Sequence, residues 1–311
     1  MESGRRSVQR ERTRSNKPRW KAKLVLSIII TIALLAGVGV WSTYNYLWRI
    51  PAPQPSSHNR ALLVDQLALN YPDPSFVANV TSALRAAGYG VDYSGPSATA
   101  IDYFKHLPGH GYDLIIIRAH QGSSQAIITT ETYSRSEYLA EQLDGRLVPA
   151  QVGDGPVYFA LTPRFVHQDM IGSFPGSTII VMGCAALQGT QDMAAAFLDK
   201  GANFFVGWDG LVSIIHTDSS TVALARLLST GKSVSEATSL AGGADPVYGA
   251  RLGYLDWNTL AQSRANRLLS EVMISSTIAA ILIAGPLTVF AAPKLVNLIE
   301  HLKELVSRRK T

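Results

Sequence analysis

Two long uncharged runs bracket most of this 311-residue chain and limit how the rest can fold. Leu24–Trp48 and Val272–Ala292 contain no Asp, Glu, Lys or Arg. A helix rises about 1.5 Å per residue, so either run is long enough to cross the roughly 30 Å hydrocarbon core of a bilayer. The expectation is a transmembrane helix at 24–48, a second at 272–292, and between them a domain that must bury its own core. A secretory signal is the alternative for the first run, but its apolar stretch is longer than a signal core and no small-x-small cleavage site follows. Trp41, Tyr44, Tyr46 and Trp48 fit an interfacial aromatic belt, and Pro286 is a kink of the kind membrane helices tolerate.

The overall charge of +5 conceals an asymmetry. Met1–Lys23 carries nine Lys and Arg against Glu2 and Glu11, and Lys294–Thr311 carries five against Glu300 and Glu304. Those ends supply +7 and +3, which leaves −5 for everything between them. Basic tails beside apolar spans point to the lipid bilayer as partner rather than to nucleic acid. The positive-inside rule then makes 1–23 and 293–311 cytoplasmic tails of a two-span cell-membrane protein whose main domain is extracytoplasmic. Lys294–Val306 reads as an amphipathic helix on the cytoplasmic face. Residues 49–59, with Pro51, Pro53 and Pro55, read as a stiff linker. The one cysteine excludes an intramolecular disulfide. A free thiol outside the cytoplasm is an oxidation liability, which favours a functional reason for keeping it.

Within 60–265 the elements alternate. Arg60–Val64 reads as a strand, Phe76–Ala87 as a helix ending at Gly88, Val91–Tyr93 as a strand and Thr99–His106 as a helix. This order predicts an α/β domain with a mostly parallel sheet and helices on both faces. The interval 125–176 is too long for a simple crossover. Ile127–Thr130 and the segments Leu147–Val152 and Val157–Leu161, split by Gly153-Asp154-Gly155, predict a small antiparallel hairpin, with a short helix over Ser136–Gln142. After Asp209, helices are expected over Ser219–Leu228, from near Val234, and over Gln262–Leu269.

Two strands carry the chemistry. Asp113–Arg118 is an apolar run delivering Ala119-His120-Gln121-Gly122, and Ser177–Met182 is another delivering Gly183-Cys184. A helix from Gln191, ended by Lys200 and Gly201, and a strand over Ala202–Val206 follow. Open α/β sheets bind ligands beyond the carboxyl ends of their strands, so the thiol and the imidazole are expected at one sheet edge. A neighbouring imidazole is the usual device for activating a thiol. Each residue alone also has an ordinary reading, the cysteine as a small core hydrophobe and the histidine as structural. Thr162-Pro163-Arg164-Phe165 is expected to lead into a loop carrying His167, which lacks the strand and glycine context of His120, and His216 reads as exposed.

The pattern strand–His120-Gln121-Gly122, strand–Gly183-Cys184, helix, Gly201-Ala202 and a strand ending Gly207-Trp208-Asp209 resembles the caspase-like cysteine peptidases of clan CD. That group contains gingipains, clostripain, separases and CHAT domains. The resemblance covers about Arg60 to Tyr254. It implies a three-layer αβα caspase-like domain and a catalytic dyad of His120 and Cys184, with the backbone N–H groups of Cys184 and Gly122 as oxyanion donors. Small residues follow the cysteine in that family, and Ala185-Ala186 agree. The family usually has glycine directly after the histidine, where Gln121 stands here. Several Arg- and Lys-specific members carry an aspartate two residues before the cysteine, where this chain has Met182.

Two carboxylates near that edge, Asp209 and Asp218, are candidates to receive a basic P1 side chain. The alternatives are that Asp209 braces its loop and that Thr217-Asp218 cap a helix. No cysteine pair, histidine cluster or HExxH supplies metal-ligand spacing, no Gly-rich strand–helix turn cradles a phosphate, and Ser123 and Ser124 lie outside a G-x-S-x-G elbow. The resulting expectation is a membrane-tethered cysteine endopeptidase acting on peptide or protein without a cofactor. An inactive caspase-like binding or sensor module anchored in the membrane is the alternative.

Overall fold

The computed structural model describes residues 59–98, 100–122 and 125–275, together with Ile30 and Gly37. Apart from Ile30 and Gly37, the expected span at 24–48 lies outside the described residues, as do both basic tails, residues 49–58 of the linker and all of the 272–292 span beyond residue 275. Among the described residues, no helix is long and apolar enough to cross a membrane. The described residues from 59 to 264 belong to one compact unit. Those from 265 to 275, which are helical, belong to another.

The central sheet holds six strands: β1 (Arg60–Asp65), β2 (Gly90–Ser94), β3 (Leu114–Arg118), β7 (Thr178–Val181), β8 (Phe204–Trp208) and β9 (Leu252–Asp256). Their spatial order is β2-β1-β3-β7-β8-β9. The first five run parallel, and β9 closes the edge antiparallel to β8. The fold is therefore α/β with a mostly parallel central sheet. β1, β3 and β7 are buried along nearly their whole length, which is why they read as continuous apolar runs rather than alternating ones.

Alternation along the strands sorts the core into two layers. Leu62, Val64, Ile115, Ile117, Ile179, Val181 and Phe205 face one side. There they meet α2 (Ile101–His106), α4 (Pro163–Gln168) and α5 (Asp192–Asp199) through residues such as Phe104, Phe165 and Phe197. Ala61, Leu63, Leu114, Ile116, Ile180, Met182 and Val206 face the other side. They meet α1 (Pro74–Ala86), α6 (Ile214–Ser229) and α7 (Val234–Ala241) through Phe76, Leu84, Leu224 and Ala237. Burying a large apolar side chain stabilises the fold by about 1.5–3 kcal/mol, so each layer holds the sheet from its own side.

A separate sheet of β4 (Ile127–Thr132), β5 (Leu147–Gln151) and β6 (Val157–Leu161) has the order β4-β6-β5, antiparallel throughout. It is entered through a single bridge between Gln121 and Ile127, so it grows directly out of the turn that follows His120. The short α3 (Leu139–Leu143) lies before β5.

Three local expectations change. α6 begins at Ile214 with Ser213 at its N-cap position, so Thr217 and Asp218 are helical residues and cap nothing. Residues 163–168 form α4 where a loop was expected, because Pro163 sits at the first helical position, where its missing N–H costs nothing. The helix expected over Gln262–Leu269 is longer, running through 257–275.

Candidate active site

β3 and β7 pair in register, Ile117 opposite Val181, and the Met182 N–H donates to Ile117 O at 2.9 Å just beyond the last paired residues. Pairing reaches no further than Val181 and Met182; carried on one for one it would set His120 opposite Cys184 at the carboxyl edge of the sheet. The contact around Gly183 shows that the chains stay close this far out. A Cβ placed there would lie 2.6 Å from Gln121 Cβ and 3.0 Å from Ala119 O. Glycine is required here by the approach of two chains, and it seats the cysteine beside the histidine strand.

Cys184 packs against Trp208, Val212 and Ala250. Its Sγ donates weakly to Val212 O at 3.7 Å. Ala185, the next residue, has φ 58°, a left-handed conformation that a side-chain-bearing residue adopts at a cost of roughly 1–2 kcal/mol. That turn is held because Ala185 N–H donates to Gly210 O at 2.8 Å and Leu187 N–H donates to Trp208 O at 2.9 Å. A neutral chain fixes the strand below: Trp208 Nε1 donates to Thr217 Oγ1 at 2.9 Å, and that hydroxyl donates to Met182 O at 3.1 Å. Thr217 is buried, so α6 is clamped to the strand two residues before the thiol.

His120 is positioned by charge instead. Arg118, two residues earlier and on the same face, is 1% exposed. Its Nε and one terminal nitrogen donate to the two oxygens of Asp218, both at 2.8 Å. The other terminal nitrogen donates to Asp65 Oδ1 at 2.9 Å. Both terminal nitrogens also donate to Tyr71 O at 3.1 Å, and the Tyr71 ring meets the His120 imidazole edge-on at a centroid distance of 5.8 Å. Burial alone would lower the basicity of Arg118, but the two carboxylates outweigh it and the guanidinium stays charged. Burial pushes the Asp218 carboxyl up, and Arg118 opposes that rise. Burial, and then the Arg118 charge, hold the imidazole of His120 below the ordinary histidine range. His120 is therefore neutral at neutral pH. Its Nε2 is buried and has no hydrogen-bond partner among the described residues.

Two expected roles are overturned by these contacts. Asp218 does not offer a carboxylate to a substrate, because both its oxygens are taken by Arg118 inside the fold. Gly122 does not offer its N–H to an oxyanion, because that group donates to Ala126 O at 3.1 Å in the turn leading into β4. The Cys184 N–H, by contrast, has no backbone acceptor among the described residues. Asp209 is exposed and braces its loop, with Oδ1 accepting from Arg251 N–H at 2.7 Å. His167 pairs with Asp199 at 3.2 Å, at the end of α5 remote from the thiol. His216 is half-buried rather than exposed, and packs against Trp208.

Gln121, which interrupts the expected His-Gly pair, also has a structural role. Its Nε2 donates to Gln125 O at 2.7 Å. Gln125 in turn donates to Gln188 O and accepts from Met193 N–H at 3.1 Å. The two glutamines thus tie the histidine turn to the segment that follows the cysteine. Among the described residues, no group of His, Cys, Asp and Glu is arranged to hold a metal ion.

No family model matches the chain, and no curated protein does. Among solved structures the chain is similar to the Arg-specific cysteine proteinase gingipain R, at 12% identity and a TM-score of 0.34. That likeness covers 59% of this chain and 39% of the proteinase, so the chain spans well under half of that protein. Overlap this low adds nothing to the geometry above.

Proposed function

We propose that this chain is a caspase-like cysteine endopeptidase with a His120–Cys184 dyad, tethered to a membrane and acting outside the cytoplasm. The observation that carries the reading is the register of β3 and β7. It supports the reading because the strands that end shortly before the thiol and the neutral imidazole are paired neighbours, at the sheet edge where α/β folds bind ligands. The tether and the orientation rest on the uncharged runs and the basic ends alone.

The chemistry follows from the groups present. His120 Nε2 takes the thiol proton, and the sulfur attacks the substrate carbonyl carbon to form a tetrahedral oxyanion. The Cys184 N–H, free of other acceptors, donates to that oxygen; one such donor contributes about 3 kcal/mol in comparable sites. When the carbon–nitrogen bond breaks, the imidazolium returns its proton to the leaving amine and a thioester remains. His120 then deprotonates a water that attacks the thioester, and the thiol is regained. His120 and Cys184 are not hydrogen-bonded to one another, and the dyad contact forms when substrate binds.

An irreversible peptidyl electrophile added to the full-length protein tests this reading. Cys184 is expected to be modified, Cys184→Ala to abolish labelling and peptide cleavage, and His120→Ala to slow labelling by about 10²–10⁴-fold. Cleavage undiminished in Cys184→Ala would overturn the mechanism. A wild-type protein that neither labels nor cleaves would favour the non-catalytic binding module, a reading supported by the committed Gly122 N–H.

A further inference from the structure

The loop that touches the thiol carries an exposed apolar lip. Leu211 is 59% exposed and directly precedes Val212, whose carbonyl contacts Cys184 Sγ; Ile215, in the first turn of α6, is 85% exposed. Across from them Val247 is 65% exposed and Tyr248 58%. These four large apolar side chains come from two segments joined by one carboxylate. Asp245 is buried and accepts from Ser213 N at 3.0 Å, Ser213 Oγ at 2.6 Å, Val247 N at 2.8 Å and Tyr248 N at 2.7 Å. Burial would raise that carboxyl, but the four donors hold it far below the usual carboxylate range. The second segment is closed on itself by Asp245 N–H to Ala250 O and Gly249 N–H to Asp245 O, both at 2.8 Å.

Exposed apolar groups on a loose loop turn inward or scatter. Here they are held out by a braced double loop whose inner wall, Val212 and Ala250, is the wall against which the thiol packs. Isolated exposed hydrophobics are unremarkable, but four on two segments tied together beside a nucleophile point to a binding surface. A peptide whose carbonyl carbon reaches Sγ comes close to the loop of Leu211 and Val212, because Sγ touches the Val212 carbonyl. The carboxylate that would have attracted a basic side chain from within α6, Asp218, is closed off by Arg118.

We propose that Leu211, Ile215, Val247 and Tyr248 form the surface that selects an apolar side chain flanking the cleaved bond, so that the substrates are polypeptides with large apolar residues at P1. This inference rests on the thiol-peptidase reading, and the experiment separates the two. Full-length protein is treated with peptidyl electrophiles that differ only at P1, carrying Leu, Phe, Arg or Asp, and the rate of Cys184 modification is followed by mass spectrometry. Leu and Phe are expected to react fastest, and Leu211→Ser with Ile215→Ser to slow them roughly tenfold, the scale of losing one apolar contact in a specificity site. Both positions are exposed, so the fold tolerates the change, and Asp209→Asn is expected to leave the preference unaltered.

Faster reaction of the Arg probe, especially if it is lost in Asp209→Asn, overturns the apolar lip while leaving the peptidase reading intact. Modification of Cys184 by iodoacetamide but by no peptidyl probe overturns both. If the serine substitutions leave every probe rate unchanged, the lip has no part in substrate choice and the proposal fails.

Discussion

The two strand ends that meet at the candidate site are held in place by different physics. The end of β3 is fixed by buried charge, with Arg118 shared between Asp65 and Asp218 and reaching Tyr71 behind the imidazole. The end of β7 is fixed by neutral groups: a glycine against the neighbouring chain, a left-handed alanine, and the Trp208–Thr217–Met182 hydrogen-bond chain. The difference has a chemical consequence. A cation two residues from the histidine disfavours a second positive charge, so the imidazole is kept as a base, whereas the contacts that hold the sulfur are with neutral groups.

The largest expected effect comes from breaking the charged side. Arg118→Met leaves Asp65 and Asp218 buried without their cation, and removing one partner of a buried ion pair costs about 3–5 kcal/mol. Thermal unfolding should therefore move down by many degrees, and labelling of Cys184 should fall with it. Asp218→Asn keeps the volume and one acceptor, and is expected to cost less than Arg118→Met. Equal stability of wild type and Arg118→Met in a denaturant titration would show that this network does not hold the histidine strand.

The neutral side of the comparison was the more legible in the sequence. Short β-branched runs ending in His120 and in Gly183-Cys184 announced two parallel strands, because a strand buried on both faces has to be apolar throughout. The charged side was hidden. Arg118 and Asp65 each close such a run, and a charge at the end of an apolar strand is the only signal they give. Nothing in the spacing shows that Asp218, a hundred residues from Arg118, completes the pair. Asp218 was mistaken for a substrate ligand because a carboxylate near the right edge looks the same in sequence whether its oxygens are free or taken. Gly122 misled for a related reason: its N–H is consumed by a turn into β4 that depends on pairing between Gln121 and Ile127. β9 escaped notice since Leu252–Asp256 is half-exposed along an edge and carries Gly253.

The next effect in size sharpens the neutral side. Gly183→Ala puts a methyl group 2.6 Å from Gln121 Cβ and 3.0 Å from Ala119 O, and the second of these is backbone that cannot swing away. Overpacking of this kind costs about 1–3 kcal/mol. The two strand ends have to part, so the loss of Cys184 labelling is expected to exceed what the loss of stability alone explains. Labelling at the wild-type rate in a folded Gly183→Ala protein would mean that the separation of the two ends does not matter to the chemistry.

The smallest expected effect bears directly on the contrast between charged and neutral supports. Burial comes first and the Arg118 charge second in lowering the His120 pKa, so its NMR titration should lie below the ordinary histidine value of about 6.5. The resonance can be assigned by its absence in His120→Gln. The sign for stability follows from proton counting. Below about pH 6.5 the unfolded chain binds a proton at this position more readily than the folded one, so unfolding takes up protons. The contribution of neutral His120 is therefore complete above that pH and is lost as pH falls through the folded value. His120→Gln removes the titrating group, and its stability should decline less steeply across that acid window than that of the wild type. If His120 titrates at or above 6.5, burial and the guanidinium do not govern the imidazole, and the charged support of β3 acts on position alone.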